Sequence, residues 1–157
     1  MKYLFKSILF LVCFYSSVCH AQFIGLKPER NVPALVEEAF QNKFPGHDPV
    51  WYSKYQGRYN QKLVYEGRFM FDNRYSAAVY DTDGIMVAFA ATVELSEIPN
   101  AAMQYMEKNF PQRRIMDALL VTDRNNGVTY ELGVFIDGEL IIKIFNDKGD
   151  FVRSTRA

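Results

Sequence analysis

The chain has 157 residues, with 18 basic and 18 acidic side chains, so its formal net charge is zero. Nucleic-acid binding needs a concentrated basic surface. The only dense basic clusters here are Arg113-Arg114 and the tail from Arg153 to Arg156. Nucleic acid is therefore not an expected partner, and the length allows one domain or two small ones.

The first 21 residues have the pattern of a secretory signal peptide. Lys2 and Lys6 precede an apolar run over residues 8–15, and short polar residues lead to Ala21. The run is far shorter than the roughly 20 residues that cross a bilayer, so no membrane span is expected. We expect cleavage near Ala21 and a periplasmic or secreted mature protein.

Both cysteines, Cys13 and Cys19, lie within this predicted signal peptide. The mature chain would then have no thiol. Disulfides, a cysteine nucleophile and cysteine-bound zinc are not expected, although an exported compartment permits disulfides. An apolar core must hold the fold.

Two segments of the chain are near copies of each other. VPALVEEAFQNKFP, residues 32–45, matches IPNAAMQYMEKNFP, residues 98–111. Each starts with proline, which fits the first turn of a helix, and closes on Phe-Pro, which ends one. A period of 3.6 residues predicts matching core stripes. Their members are Leu35, Val36, Ala39, Phe40 and Phe44, and then Ala101, Ala102, Tyr105, Met106 and Phe110.

After each helix the apolar period changes to two, which indicates strands. We predict strands over 50–55, 58–65 with an extension to Phe71 left open, 74–80 and 85–93, and then over 115–122, 128–136, 139–145 and 150–154. Turn sequences separate them, including DTDG at 81–84 and NDKG at 146–149. The predicted fold class is α+β: two tandem repeats, each with one helix packed on a four-stranded antiparallel sheet. Whether the two sheets are continuous is left open.

Alternation also assigns strand residues to two faces. The predicted helix-facing set is Tyr75, Ala77, Val79, Ile85, Val87, Phe89, Ala91, Val93, Leu140, Ile142 and Ile144. The predicted open face carries Ser76, Tyr80, Met86, Lys143 and Phe145. A sheet covered by helices on one side leaves this other face for water or a partner.

The order of these elements resembles the PepSY-like periplasmic proteins. The resemblance rests on the Val/Ile-Pro helix closing on Phe-Pro, on Val50-Trp51, on a strand led by Tyr59, and on the Tyr80 to Gly84 strand end. It covers about residues 32–154. With the signal peptide at 1–21 and an N-terminal segment at 22–31, the repeats are predicted at 32–97 and 98–157.

This resemblance implies tandem repeats similar in fold to the beta-lactamase inhibitory protein, with sheets that often join into a curved surface. It also implies binding or inhibition of peptidases. The chain departs from the pattern in two places. Asp117 takes the position of Trp51 in the second copy, and YEGRF at 65–69 is an insertion whose hairpin is not defined by sequence.

The sequence nominates no catalytic, cofactor-binding or metal site. His47 is the only histidine after residue 21 and has only Asp48 beside it, so we expect a solvated loop residue. The serines lack a nucleophile-elbow setting. DTDG and NDKG have spaced acidic or amide side chains before glycine, but they lie between strands, so hairpin turns with glycine at positive φ are expected rather than calcium loops.

The expected function is an exported, non-enzymatic binding module that binds or inhibits a protein or peptide in the cell envelope. Tyrosine and phenylalanine on the open face can anchor such a partner. The candidates are Tyr52, Tyr80 and Phe145. The alternative is a small-ligand or envelope-sensing domain, which an apolar pocket between sheet and helices would favour. A monomer, or a weak dimer through a free edge strand, is expected.

Overall fold

A computed structural model describes residues 27–56 and 62–156 of the chain. The predicted signal peptide, both cysteines, the turn at Gly57 and the strand start at Tyr59 lie outside these residues. The elements are α1 (Ala34–Lys43), β1 (Val50–Gln56), β2 (Lys62–Phe71), β3 (Arg74–Asp81), β4 (Met86–Thr92), a short 3-10 helix (Leu95–Glu97), α2 (Asn100–Asn109), β5 (Ile115–Asp123), β6 (Val128–Ile136), β7 (Glu139–Asn146) and β8 (Phe151–Arg156).

The two helices start and end in the same way, as the repeated segments predict. The carbonyl of Pro33 accepts the N–H of Val36 at 2.9 Å, and the carbonyl of Pro99 accepts that of Ala102 at the same distance. Phe44 and Phe110 close the helices, each followed by proline. Neither ten-residue helix has the length or apolarity to cross a bilayer, and no other helix in the described part of the chain does.

The core stripes are largely confirmed, with one shared exception. Val36, Phe40 and Phe44 are buried in α1 and its cap, as are Ala102 and Met106 in α2. Leu35 is 60% exposed, and Ala101, its counterpart, is also exposed. Both residues lie in the first helical turn, at the border of the stripe, so the predicted stripe is one residue too wide in each copy.

All eight strands form one antiparallel sheet in the order β1 to β8. The pairing of β4 with β5, from Ala88 opposite Asp123 to Thr92 opposite Leu119, joins the two repeats. The predicted α+β class is confirmed, and the sheet is continuous. YEGRF forms no hairpin of its own, since it lies wholly within β2.

Each last hairpin of a repeat docks on the helix that begins the same repeat. Asp81 and Asn146 fold the turns by accepting two backbone N–H groups each. Gly84 and Gly149 then take positive φ, as predicted, at 76° and 88°. A Cβ on Gly84 would lie 2.6 Å from the carbonyl oxygen of Leu35, and one on Gly149 would lie 2.8 Å from the nitrogen of Ala102. The repeated glycine thus fits against the first turn of each helix.

The predicted faces of β3 and β7 are wrong. Tyr80, Met86 and Phe145 pack into the cores beneath the helices, and Ser76 is buried on the same side of the sheet. Lys143 also lies there, 4.7 Å from the Phe110 ring. The opposite side carries Tyr75, Ala77, Val79, Leu140, Ile142 and Ile144. The alternation within β3 and β7 is regular, but one extra residue in each partner strand, Val87 in β4 and Val152 in β8, shifts the pairing register. Ala78 rather than Ala77 therefore lies opposite Phe89. Phe89 packs on the first core as predicted.

The Trp51 position of the second repeat is occupied by Ala118, not by Asp117. Trp51 lies opposite Gly67 and covers it, whereas Ala118 lies opposite Leu132. A bulge between Ile115 and Asp117 moves the register of β5 by one residue. A large residue over glycine in one repeat is therefore replaced by a small residue opposite leucine in the other, which fills a similar space.

The two edges of the sheet differ. At the β1 edge, the N–H of Glu29 donates to the Trp51 carbonyl at 2.8 Å, and the Ser53 hydroxyl donates to the Glu29 carboxylate at 2.8 Å. At the other edge, every residue of β8 is exposed. Arg153 and Arg156 place positive charge on β8, a common protection against unwanted strand pairing.

We predict that Gly84→Ala destabilises the protein by about 2–4 kcal/mol. The alanine would combine an unfavourable positive φ with a backbone clash against Leu35. Gly138→Ala is the matched control, because Gly138 also has positive φ, at 86°, but nothing lies within 4 Å of its would-be Cβ. Urea unfolding followed by Trp51 fluorescence measures both. Equal losses in the two variants would show that the hairpin does not press on the helix.

We predict that Tyr80→Phe keeps stability unchanged or raises it by about 1 kcal/mol. The Tyr80 hydroxyl is buried without a hydrogen-bond partner in the described residues, and burial raises its pKa to about 12. Removing an unpaired buried hydroxyl removes its desolvation cost. Phe145, at the matching bulge of the second repeat, already shows that phenylalanine fits. A loss of more than 1 kcal/mol in urea unfolding would contradict this.

Candidate functional site

The side of the sheet that faces away from both helices, called here the inner face, is curved rather than flat. Val64 and Ile144 lie on it and are only 2% and 3% exposed, although neither belongs to a core beneath the helices. In a flat sheet, strands β1 and β6 would be roughly 24 Å apart. The charge of Lys54 on β1 nevertheless lowers the pKa of the Glu131 carboxyl on β6. The sheet therefore curls with its inner face on the concave side.

Glu66 is the central charge of the inner face. It is 7% exposed and receives Arg68 Nε at 2.6 Å and the Lys54 ammonium in a second short contact. Burial by itself would raise the pKa of Glu66, but the hydrogen bonds and charges of Lys54 and Arg68 outweigh it and hold the pKa below its ordinary value. Glu66 is thus ionised at neutral pH, and the cluster carries one net positive charge.

Tyr52 and Glu66 hold Arg68 in place. The guanidinium carbon of Arg68 lies 4.5 Å above the ring centre of Tyr52, a cation–π contact. Burial lowers the pKa of Arg68, but Glu66 and, after it, Tyr75 outweigh burial and keep this pKa raised. The guanidinium group of Arg68 therefore has a fixed position and orientation on the inner face.

A second carboxyl cluster lies in the other repeat. Burial raises the pKa of Glu131 above its ordinary value; Arg153 and Lys54 act against this, while Asp117 adds to it. Glu131 is therefore less well compensated than Glu66. The inner face thus combines a positive cluster in the first repeat with a negative cluster in the second.

A shallow cavity of about 230 Å³ opens on the inner face between these clusters. Its lining includes Glu66, Arg68, Tyr75, Asp117 and Leu119. Small side chains on the central strands, Ala77 and Ala90, form the apolar part of its floor. The cavity is too small for most drug-sized ligands, but it can accept a single side chain of a partner.

Apolar pairs occupy equivalent places in the two repeats, and three of their four members are exposed while Leu140 is half-buried. Met70 lies opposite Tyr75 beside the β2–β3 turn, and Phe135 lies opposite Leu140 beside the β6–β7 turn. Met70, Tyr75 and Phe135 are 55%, 50% and 47% exposed. Both turns are tight two-residue hairpins with positive φ at both central residues. The inner face therefore presents the same apolar contact twice.

The structure separates the three residues predicted to meet a partner. Tyr52 lies on the inner face, beside Arg68. Tyr80 and Phe145 are 1% and 0% exposed and lie in the cores beneath α1 and α2. Their predicted placement on the open face is wrong, because Tyr80 shares the helix-facing side of β3 with Ala78, and Phe145 shares that of β7 with Lys143.

Sequence reasoning missed Glu66, Arg68, Met70, Tyr75 and Phe135. A signal was present in YEGRF, where Glu66 and Arg68 are two residues apart and so share a face of any strand. Treating YEGRF as an insertion concealed that pattern. His47 also differs from its predicted solvated setting, because it is half-buried with its ring 5.5 Å from that of Phe69 and 5.6 Å from that of Phe71.

Fold and face together define the class of protein: a two-repeat α+β chain with helices on the convex side and a charged, aromatic concave face. No protein-family model matches the chain, and no curated protein is similar to it. Solved structures do match. A candidate periplasmic protein from Bacteroides eggerthii has a TM-score of 0.67 and 15% identity, over 80% of this chain and 89% of that one.

Two further solved structures share the fold. A DUF2874 family protein from Bacteroides uniformis has a TM-score of 0.65 and 15% identity, over 79% of this chain and 88% of that one. A BLIP-like protein from Bacteroides fragilis has a TM-score of 0.58 and 14% identity, over 85% of this chain and 89% of that one. The names of these three proteins state no catalytic activity. At such low identity the similarity shows the fold alone.

We predict that Glu66→Gln lowers the free energy of unfolding by about 1–2 kcal/mol at pH 7. The variant loses charge-assisted hydrogen bonds, and the loss is moderated because Lys54 and Arg68 are 38% and 33% exposed. A lowered folded-state pKa gives stability that is present above the unfolded pKa of roughly 4.3 and is lost as pH falls through the folded value. The difference between wild type and variant should therefore vanish on acidification.

Urea unfolding in steps from pH 7 towards pH 3 measures this difference. Glu131→Gln is the matched control on the same face. Because the pKa of Glu131 is raised in the folded state, this variant should be as stable as wild type or slightly more stable at pH 7. A pH-independent deficit in Glu66→Gln would mean that the ion pairs are not its cause.

Proposed function

We propose that this chain is an exported, non-enzymatic binding module that recognises a protein or peptide with the inner face of its sheet. The observation that carries the proposal is the duplicated apolar pair, Met70 with Tyr75 and Phe135 with Leu140, on the same face as a fixed charge cluster on β1 and β2. Protein interfaces combine such exposed apolar anchors with oriented charges.

The curvature of the inner face supports a convex partner. A loop or hairpin entering the concavity would meet Arg68 and Tyr75 in the first repeat and Phe135 in the second. The 230 Å³ cavity would receive one side chain of that partner. Rigid tyrosine side chains lose little entropy on binding, so they suit such contacts.

The charge pattern gives the partner an orientation. The first repeat presents the positive Lys54–Glu66–Arg68 cluster, and the second presents Glu131 and Asp117. A partner with an acidic group towards the first repeat and a basic group towards the second would complement it. Opposite orientation would place like charges together.

Similarity to known proteins supports the same reading. The matched structures include a BLIP-like protein and a candidate periplasmic protein, and the sequence order resembles PepSY-like periplasmic proteins. The predicted signal peptide at residues 1–21 supports export. Inhibition of an envelope enzyme is the form of binding that the resemblance favours.

We predict that the double variant Tyr75→Asp/Phe135→Asp loses partner binding by at least about 30-fold. Each aromatic anchor contributes about 1–2 kcal/mol or more when buried at an interface, and a new carboxylate adds a desolvation cost. Envelope extract is passed over the immobilised chain from residue 22 onward, the captured protein is identified, and its affinity is measured by titration against each variant.

Leu35→Asp is the matched control, because it removes an apolar side chain that is 60% exposed on the convex side. It should bind like wild type. Capture that does not saturate with wild type, or equal affinity of the captured protein for all three forms, would refute the inner face as the binding surface. Thermal melts confirm that each variant is folded.

A further inference from the structure

A large cavity lies on the convex side, where the two repeats meet. Its volume is about 510 Å³, and it is called here the junction cavity. One wall is the end of α1, at Lys43 and Phe44, and the other is the β5–β6 turn, at Arg124 and Asn126. This volume falls within the range of about 300–1,000 Å³ that is usual for small-molecule sites.

The floor of the junction cavity is aromatic and well ordered by packing. Phe44 stacks on Phe89 with ring centres 5.5 Å apart, and Phe71 meets both rings edge-on at 5.3 and 6.0 Å. Met86 completes the apolar lining and can adapt its shape to a ligand. An aromatic or alkyl group would therefore find a preformed apolar surface.

The rim of the junction cavity is cationic. Lys43 and Arg124 line it from opposite walls, both are exposed, and neither forms an ion pair within residues 27–56 and 62–156. Asp123 is the one carboxylate in the lining, and its Oδ1 accepts the N–H groups of Asn125 and Gly127. Asp123 thus closes the turn, while the two cations are available to a ligand.

The corresponding region of the second repeat is filled differently. Phe110, the counterpart of Phe44, is covered by Lys143 at 4.7 Å, and Phe151 stacks on Tyr105 at 4.8 Å. The strand equivalent to β4 is β8, which is the sheet edge in the described part of the chain, so no hairpin within that part provides a second wall. The junction cavity therefore depends on the continuous sheet.

We propose that the junction cavity binds an amphipathic organic anion, a carboxylate or sulfonate with an aromatic or medium-length alkyl body. The apolar body lies on Phe44, Phe71 and Phe89, and the anionic group lies between Lys43 and Arg124. Charge and shape both favour this class, because a neutral ligand leaves the two cations unused and a cationic ligand is repelled by them. The site is separate from the inner face.

The test is a fluorescence titration with 8-anilinonaphthalene-1-sulfonate, an aromatic sulfonate. Wild type should bind one equivalent saturably, and decanoate should displace the probe while decylammonium at the same concentration should not. Lys43→Gln/Arg124→Gln should weaken probe binding at least tenfold. Lys108→Gln is the matched control, because Lys108 lies in the last turn of α2, away from the cavity, and it should change affinity less than twofold.

Three results would overturn the proposal: no saturable binding to wild type, equal affinity in the charge variant, or equal displacement by decylammonium. The inner-face variant Tyr75→Asp/Phe135→Asp provides a further check. It should bind the probe like wild type, and a loss of binding there would place the probe on the inner face instead. Cooperative thermal melts of every variant exclude binding of the probe to a partly unfolded state.

Discussion

The pairing of β4 with β5 is the constraint on which the rest of the structure depends. Five residue pairs, from Ala88 with Asp123 to Thr92 with Leu119, make two four-stranded units into one sheet. That join places both helices on the same side and turns the other side into a single concave surface. It also brings the end of α1 next to the β5–β6 turn. The inner face and the junction cavity are thus two products of one strand pairing.

The two repeats keep a common backbone while their cores differ. The first core is built on aromatic rings, with Phe40 in contact with Phe44, Trp51 and Phe69, and Phe44 also in contact with Phe69. The second core relies more on aliphatic residues such as Ile98, Leu132 and Val134. One pair of facing positions illustrates the difference between the cores: Trp51 opposite Gly67 in the first repeat corresponds to Ala118 opposite Leu132 in the second. Paired positions change together, so the space between helix and sheet is preserved.

Helix limits and turns could be predicted from sequence because local chemistry sets them. Pro33, Pro99 and the Phe-Pro endings restrict the backbone whatever surrounds them, and Gly84 and Gly149 take a conformation that other residues avoid. Two separate resemblances, of helix to helix and of hairpin to hairpin, made the duplication visible. The α+β class and the two repeats followed from them.

The faces of β3 and β7 could not be predicted in the same way. Both faces of β3 are apolar, with Tyr75, Ala77 and Val79 on one and Ala78 and Tyr80 on the other, so alternation gives no direction. The pairing register with the next strand decides the outcome, and the bulges in β4 and β8 that set this register have no reliable sequence signal. The concave shape adds to the difficulty, since it buries Val64 and Glu66 on a side that a flat sheet would expose. The charge cluster of the candidate site therefore became visible only in three dimensions.

Because the two edges of the sheet differ, a further repeat can be added more easily at one end of the chain than at the other. A further unit fused after the last strand would meet β8, an exposed edge with no strand beside it in the described residues. A unit fused at the other end would have to displace the contacts that Glu29 makes with Trp51 and Ser53. Tandem duplication in such a gene can lengthen the protein at its carboxyl end with little rearrangement. Arg153 and Arg156 would then be the first residues to change, because their charges suit water better than a neighbouring strand.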